Sequence, residues 1–145
     1  AGWGGAFALA AGGAAEKLKL KSRGRILAFK LGGTDKLPPV PASAPIPAPP
    51  EQMATAEQIA HGKVVYHQYC GVCHGPGVKG GGVLPDLRHM QPAKHLAFKE
   101  IVVDGVLKDL GMVGFADVIT EEDAAGIQGY IISEAQKLQA ELKLN

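Results

Sequence analysis

The chain has 145 residues, enough for one domain with attachments but short of two full-sized domains. It is 46% hydrophobic and can therefore build a core, although 20 glycines and 10 prolines predict much irregular chain. The formal net charge of +1 excludes a strong electrostatic attraction to nucleic acid or anionic lipid. No stretch reaches the roughly 20 uninterrupted apolar residues of a spanning helix, so the sequence predicts a soluble protein.

Residues 1–37 form a Gly- and Ala-rich arm. The first fifteen residues, AGWGGAFALAAGGAA, lack an initiating Met and a basic leader, and we interpret them as mature chain or the start of a fragment. Residues 25–31, RILAFKL, alternate in hydrophobicity, and residues 16–22 do so more weakly, which predicts one or two β-strands. Because so few strands cannot bury enough surface to fold alone, the arm is expected to pack on another surface.

A proline-rich linker over residues 38–52 separates the arm from the rest of the chain. Seven of the ten prolines lie within residues 38–50, PPVPASAPIPAPP, which excludes a helix or a paired strand. As polyproline II, at about 3.1 Å per residue, this stretch would extend roughly 40 Å. We interpret it as a semi-rigid spacer, with a proline-rich ligand for a recognition domain as the alternative.

In residues 53–145 the apolar residues recur at the spacing of an α-helix. The first helix is predicted to begin at Thr55, which forms a plausible capping box with Gln58. The second is predicted to begin near Pro92, a favourable first-turn residue, and to run through Val106. A glycine-rich loop over residues 75–90 lies between them.

A third helix is predicted to begin at Thr120, because the acidic residues 121–123 suit the first turn of a helix. Its predicted apolar face consists of Ala124, Ile127, Tyr130, Ile131, Ala135, Leu138 and Leu142. Three helices around a long loop leave little core for some 95 residues. A large buried cofactor would supply the missing core.

The sequence YCGVCHGPG contains Cys70, Cys73 and His74 at the spacing Cys-x-x-Cys-His. A disulfide would close only a tiny loop and would not need the histidine. A zinc site needs four ligands, and a thioredoxin-type pair should follow a strand rather than end a helix. Attachment of a c-type haem accounts for all three residues: each thiol adds to a vinyl group, and His74 is the axial ligand.

The loop and the region beyond the second helix contain candidates for the rest of this site. Glycines at 75, 77, 80, 81 and 82 allow the backbone to run close to a flat ring. The Pro85 carbonyl is a candidate acceptor for the free N–H of His74, with an ordinary turn proline as the alternative. Met112, flanked by glycines, is the predicted sixth ligand. The alternatives are Met90, His89 and His95, whereas Met53 lies too close to the linker.

The pattern GKVVYHQYCGVCHG, then LPDLR, then GMVGFADVITEEDAAGIQGYI resembles a class I cytochrome c domain over roughly residues 54–138. The arm, with AGWGGAFALAAGG and GRILAFKLGGTDKLPP, resembles the last propeller strands of pyrroloquinoline quinone (PQQ)-dependent quinohaemoprotein alcohol dehydrogenases. In that family a proline-rich linker then leads to a cytochrome domain. The propeller proper, with its quinone pocket, calcium ligands and catalytic Asp, has no counterpart here. The resemblance places Trp3 near the quinone, with blade packing as the alternative.

The resemblance implies a mainly α fold around covalent haem c, preceded by a short β arm, and a periplasmic location. A site in which a His and a Met side chain fill both axial positions of the iron favours single-electron transfer. The implied donor is a PQQ-containing propeller, and the implied acceptor is a periplasmic copper protein, a cytochrome or a quinone. No substrate chemistry is credited to this chain. The alternatives are a free-standing electron carrier and an open-haem sensor or peroxidase-like protein.

Overall fold

The computed structural model describes residues 28–36, 39, 45–80 and 84–144. Within these residues the chain is helical and contains no strand. Five α-helices follow in order: α1 (Ala56–Tyr69), α2 (Gly71–His74), α3 (Pro92–Leu96), α4 (Phe98–Val102) and α5 (Glu121–Lys143). Short 3₁₀ turns lie at Pro76–Val78, Leu87–His89 and Lys108–Leu110. None of the helices in these ranges is both long and apolar enough to cross a membrane.

Both long helices begin at the predicted caps. The Thr55 side chain accepts from the backbone N–H of Gln58, and the Gln58 side chain accepts from the N–H of Thr55. Thr120 and Asp123 make the same reciprocal pair at the start of α5. Each box satisfies two backbone donors that the first helical turn leaves without partners, so the helix starts are confirmed.

Helices α1 and α5 pack at a glycine crossing. A Cβ atom on Gly62 would lie 2.0 Å from the carbonyl carbon and oxygen of Gly126, and a Cβ on Gly126 would lie 2.9 Å from the carbonyl oxygen of Gln58. Only glycine at these positions allows the two backbones to approach so closely. The crossing places the middle of α1 against the N-terminal third of α5.

The core forms along this contact. Of the predicted apolar face of α5, the residues from Ala124 to Ala135 are buried, whereas Leu142 is exposed. Ile132, which the predicted face omits, is also buried. The largest fully buried side chains are Tyr66, Val78, Ile127 and Ile131. The buried end of α5 is therefore its N-terminal two thirds.

The prediction of one continuous helix from Pro92 through Val106 is wrong. The helix is interrupted at Ala97, whose φ of −95° and ψ of 23° leave the helical region, and α4 ends at Val102. The chain then turns at Gly105, which has a φ of +71° and would place a Cβ 2.9 Å from the Cα of Gly114. This close approach requires a turn, and the periodicity of the apolar residues did not reveal it.

Much of the predicted β arm lies outside the described residues, including all of residues 1–27. Residues 28–36, which include the end of the RILAFKL stretch, contain no strand and are exposed. The division into an arm over 1–37, a linker over 38–52 and a helical domain over 53–145 therefore stays a prediction.

Candidate functional site

A cavity of about 490 Å³ lies between the end of α1, the middle of α5 and two loops. This volume falls in the range of roughly 300–1,000 Å³ that is typical of small-molecule and cofactor sites. Most of its wall is apolar. The apolar lining includes Tyr66, Tyr69, Leu84, Leu87, Phe98, Ile101, Val102, Leu107, Phe115, Ile127 and Ile131. A wall of this kind suits a large, flat and mainly hydrophobic group.

Cys70, Cys73 and His74 all line this cavity. The short helix α2 brings them together, because the backbone carbonyl of Cys70 accepts hydrogen bonds from the N–H groups of Cys73 (3.1 Å) and His74 (2.9 Å). Cys70 is buried and Cys73 is exposed, and both are free thiols. Burial, with a smaller contribution from Cys73, raises the pKa of the Cys70 thiol to about 11.

The imidazole of His74 is partly buried in the same wall. Burial lowers its pKa, and the backbone of Pro85 has a smaller, opposite effect. The lowered pKa favours the neutral imidazole, which is the form that binds a metal ion. Nδ1 is buried without a hydrogen-bond partner of standard geometry, although Pro85 also lines the cavity. Acceptance of the Nδ1–H by the Pro85 carbonyl stays a prediction.

Gly80 joins the His74 turn to the LPDLR loop. Its N–H donates to the carbonyl of His74 at 2.8 Å. With a φ of +61°, it lies so close to the loop that a Cβ would be 2.8 Å from the carbonyl oxygens of Leu84 and Pro85. A glycine is required here for both reasons. Gly80 thus packs the LPDLR loop against the His74 turn, and the predicted close approach of the glycine backbone to a flat ring stays a prediction.

An ion pair braces the same loop. Asp86 accepts from the backbone N–H of Arg88 at 3.0 Å and from the Nε of its side chain at 3.0 Å, and Nη2 lies 2.6 Å from the second carboxylate oxygen. The side chains of Arg88 and Asp86 are only 10% and 20% exposed. Bidentate geometry of this kind fixes the orientation of both side chains, and Asp86 itself lines the cavity.

Met112 also lines the cavity, on the loop between α4 and α5. Its N–H donates to the Leu107 carbonyl at 3.2 Å, after Gly111 with a φ of +91°. The base of this loop is closed where the N–H of Phe115 donates to the Val102 carbonyl at 2.9 Å. The structure therefore brings Met112 to the same cavity as the cysteine motif.

The other candidate ligands divide into two groups. Met90 and His89 also line the cavity, so its lining alone does not distinguish them from Met112. His95 is buried but is not among the described residues that line it, and Met53 is 85% exposed ahead of α1. His61 pairs with Asp123 at 2.6 Å, and Nδ1 of His67 bonds the Lys63 carbonyl at 2.7 Å.

Some residues that shape the site were not identified from the sequence. Phe98 and Phe115 line the cavity, and the hydroxyl of the fully buried Tyr66 donates to the Gly75 carbonyl at 2.8 Å. Gly126 makes the helix crossing that positions α1. The signal for Gly126 was available, because a glycine inside an otherwise helical pattern commonly has a packing reason.

Comparison with known proteins identifies the class. The family model described as cytochrome c oxidase, cbb3-type, subunit III matches residues 57–131, and the chain belongs to this family. Its helical fold and its cavity with a Cys-x-x-Cys-His motif are those of a cytochrome c domain, which confirms the predicted fold. The cofactor of such a domain is haem c.

The particular relatives include two quinohemoprotein alcohol dehydrogenases and a hydroxylase. The chain is 42% identical over 135 residues to quinohemoprotein alcohol dehydrogenase ADH IIB of Pseudomonas putida, covering 92% of this chain and 20% of that protein. The solved structure of quinohemoprotein alcohol dehydrogenase ADHIIG from Pseudomonas putida HK5 matches with a TM-score of 0.84 and 39% identity, over 97% of this chain and 20% of that one. Lupanine 17-hydroxylase [cytochrome c] of Pseudomonas sp is 35% identical over 120 residues, 80% of this chain and 17% of that protein. The chain thus corresponds to about a fifth of each relative, and the resemblance inferred from the sequence is confirmed.

Proposed function

We propose that Cys70 and Cys73 bind haem c covalently and that His74 and Met112 are its axial ligands. The observation that carries this proposal is that both thiols, the imidazole and Met112 line one apolar cavity. When bound, the haem supplies an iron that changes its charge by one electron. The partly buried imidazole of His74, whose lowered pKa favours the neutral ring, and the close-packed glycine at 80 fit a site built around such a group.

The residues of the chain then determine what the site can do. The apolar wall excludes water from the cavity, and burial keeps His74 neutral and able to ligate. A methionine ligand favours the reduced iron and raises the reduction potential. With both axial positions filled by protein side chains, no position remains for a substrate. We therefore assign electron transfer, and no catalytic residue, to this chain.

We infer further that the chain relays electrons from the PQQ site of a quinohaemoprotein dehydrogenase to an external acceptor. Support comes from relatives whose names describe quinohemoprotein alcohol dehydrogenases, and from the order of arm, linker and cytochrome domain that the sequence predicts. Under this proposal residues 1–37 pack on the PQQ- and calcium-containing propeller. The acceptor is a periplasmic copper protein, a cytochrome or a quinone, and the location is the periplasm.

Covalent attachment is tested by mass and by colour on a denaturing gel. The protein should weigh one haem more than its polypeptide and keep its colour after denaturation. The double variant Cys70→Ser with Cys73→Ser should lose both properties, and each single variant should keep one thioether. A wild-type chain of bare polypeptide mass would contradict the proposal.

The relay is tested separately, by combining the haem-loaded chain with the missing propeller, PQQ and calcium, and adding alcohol without oxygen. The haem should be reduced in the complete assembly and remain oxidised with the chain alone. Covalent haem without reduction in the assembly would support the alternative of a free-standing carrier. Reduction by alcohol with the chain alone would contradict both.

A further inference from the structure

The end of the proline-rich linker is attached to helix α5. The side-chain amide of Gln52 donates through Nε2 to the backbone carbonyl of Gly129 at 2.8 Å, and its Oε1 accepts from the N–H of Ala54 at 3.0 Å. Both ends of one partly buried amide are therefore used. One end holds α5 and the other holds the chain just before α1.

Gly129 makes this attachment possible. A Cβ at this position would lie 2.6 Å from the Cβ of Ala54 and 3.4 Å from Oε1 of Gln52. The linker end thus rests directly on the backbone of α5, which only a residue without a side chain permits. A glycine in the middle of a 23-residue helix costs about 1 kcal/mol relative to alanine, so its presence at this contact has a packing reason.

A second contact gives the linker end a direction. Nε2 of Gln136 on α5 donates to the Pro50 carbonyl of the linker at 3.4 Å. Gly129 and Gln136 are seven residues apart and therefore about 10 Å apart along the helix axis. As the linker proceeds from Pro50 to Gln52, its contacts move toward the N-terminus of α5. The linker end therefore runs antiparallel to this helix.

We propose that Gln52, seated on Gly129, is a positioning residue that fixes the direction in which the proline-rich linker leaves the cytochrome domain. A stiff spacer restricts the position of what it joins only if its attachment point is also fixed; on a loose joint it would sweep a large volume. The predicted polyproline II conformation supplies the stiffness, and the Gln52 contacts supply the fixed attachment. This inference concerns geometry and stands independently of the electron donor and acceptor.

The test measures the direction of the linker as a distance distribution. Spin labels are placed on Ala48→Cys in the linker and Ala125→Cys on the exposed side of α5, in protein with its haem attached and reduced, and the distribution is measured by pulsed electron paramagnetic resonance. Gln52→Glu is nearly isosteric and keeps the acceptor for Ala54, but its carboxylate cannot donate to the Gly129 carbonyl. We expect its distribution to be at least about twice as wide as that of the parent.

Gly129→Ala provides a second, independent variant, because its methyl group displaces Ala54 while alanine favours the helix. It should broaden or shift the distance distribution similarly. If Gln52→Glu does not fold, as shown by loss of the parent's thermal unfolding transition, Gly129→Ala alone tests the proposal. Gln139→Ala on the same helix is the control and should leave the width unchanged. Distributions with the parent's width and mean distance in both Gln52→Glu and Gly129→Ala, or an equal change in the control, would overturn the proposal.

Discussion

The cavity has two contrasting parts to its wall. The turn from Cys70 to His74 is held by consecutive main-chain hydrogen bonds, and the buried Tyr66 hydroxyl bonds the next residue, Gly75. The loop over residues 107–113 has main-chain hydrogen bonds of its own, from Leu110 and Met112 to the Leu107 carbonyl, and it is closed at its base by the bond from Phe115 to Val102. On this loop Leu110 is 83% exposed and Val113 is 60% exposed.

This difference shows that one site can depend both on residues close in sequence and on contacts between distant segments. The motif turn places the three proposed haem-binding side chains within five residues, so local backbone structure sets their positions relative to one another, while the packing of α1 on α5 holds the turn at the cavity. Met112 reaches the same cavity only because α4, the glycine turn at 105 and the start of α5 are in place. We therefore expect the turn to depend on helix packing and the loop to depend on ligation.

The largest loss of stability is expected from a substitution at the helix crossing that supports the motif turn. Gly62→Ala would place a methyl group 2.0 Å from backbone atoms of Gly126, so α1 and α5 must separate. We expect a loss on the order of 3 kcal/mol in the free energy of unfolding, measured by denaturant titration of the haem-loaded protein.

Gly71→Ala is the matched control, because its Cβ would meet the Tyr66 carbonyl oxygen at an ordinary 3.6 Å. It lies inside the cysteine motif itself and should change the free energy of unfolding by less than about 1 kcal/mol. Equal losses in the two variants would show that the crossing is not what supports the turn.

The second prediction concerns the loop. Met112→Ala should remove the weak long-wavelength thioether-to-iron band of the oxidised protein, admit carbon monoxide to the reduced iron, and lower the reduction potential on the order of 100 mV, within the ~0.8 V that axial ligands span. Absorption spectra and a redox titration measure these changes.

Met90→Ala is the control, since Met90 lines the same cavity. It should retain the band and exclude carbon monoxide. If Met90→Ala loses the band while Met112→Ala keeps it, the ligand is assigned to the wrong methionine, and the contrast between turn and loop would need to be drawn with residues 87–90 instead.

The features that could be predicted from the sequence are the local ones, and those that could not are the non-local ones. The capping boxes, the start of each long helix and the cysteine motif depend on residues close in sequence, and their positions could be predicted. The turn at Gly105 and the crossing of Gly62 on Gly126 depend on contacts between residues that are apart in sequence, and the periodicity of the apolar residues gives no signal of the break at Ala97. Periodicity carries no information on which glycines meet, so these features emerged only from the structure.

The third prediction tests the turn at its tyrosine. Tyr66→Phe removes the hydroxyl that donates to the Gly75 carbonyl at 2.8 Å and leaves that carbonyl without this partner. Removal of one partner of such a bond costs about 1–2 kcal/mol, to be measured by denaturant unfolding. Tyr69→Phe is the control: its hydroxyl accepts from Gln68 at 3.0 Å in an exposed position, and the cost should be a few tenths of a kcal/mol. Similar losses would show that the Tyr66 bond adds nothing to the turn.

The smallest change in the free energy of unfolding is expected from a substitution where α5 begins, and its size depends on pH. Hydrogen bonds from His61, and then from Thr120, lower the pKa of Asp123 to about 2 from an ordinary value of 3.8. Because the folded-state pKa is the lower one, Asp123 stabilises the protein above about pH 4, and this contribution is lost as the pH falls toward 2.

Asp123→Asn should therefore lower the free energy of unfolding by roughly 0.5–1 kcal/mol at pH 6. The difference between wild type and variant should shrink steadily between pH 4 and pH 2. Thermal unfolding of both proteins across this range measures it, with Asp117→Asn as the exposed control. A difference that stays constant down to pH 2 would show that the carboxylate charge of Asp123 contributes nothing to the start of α5.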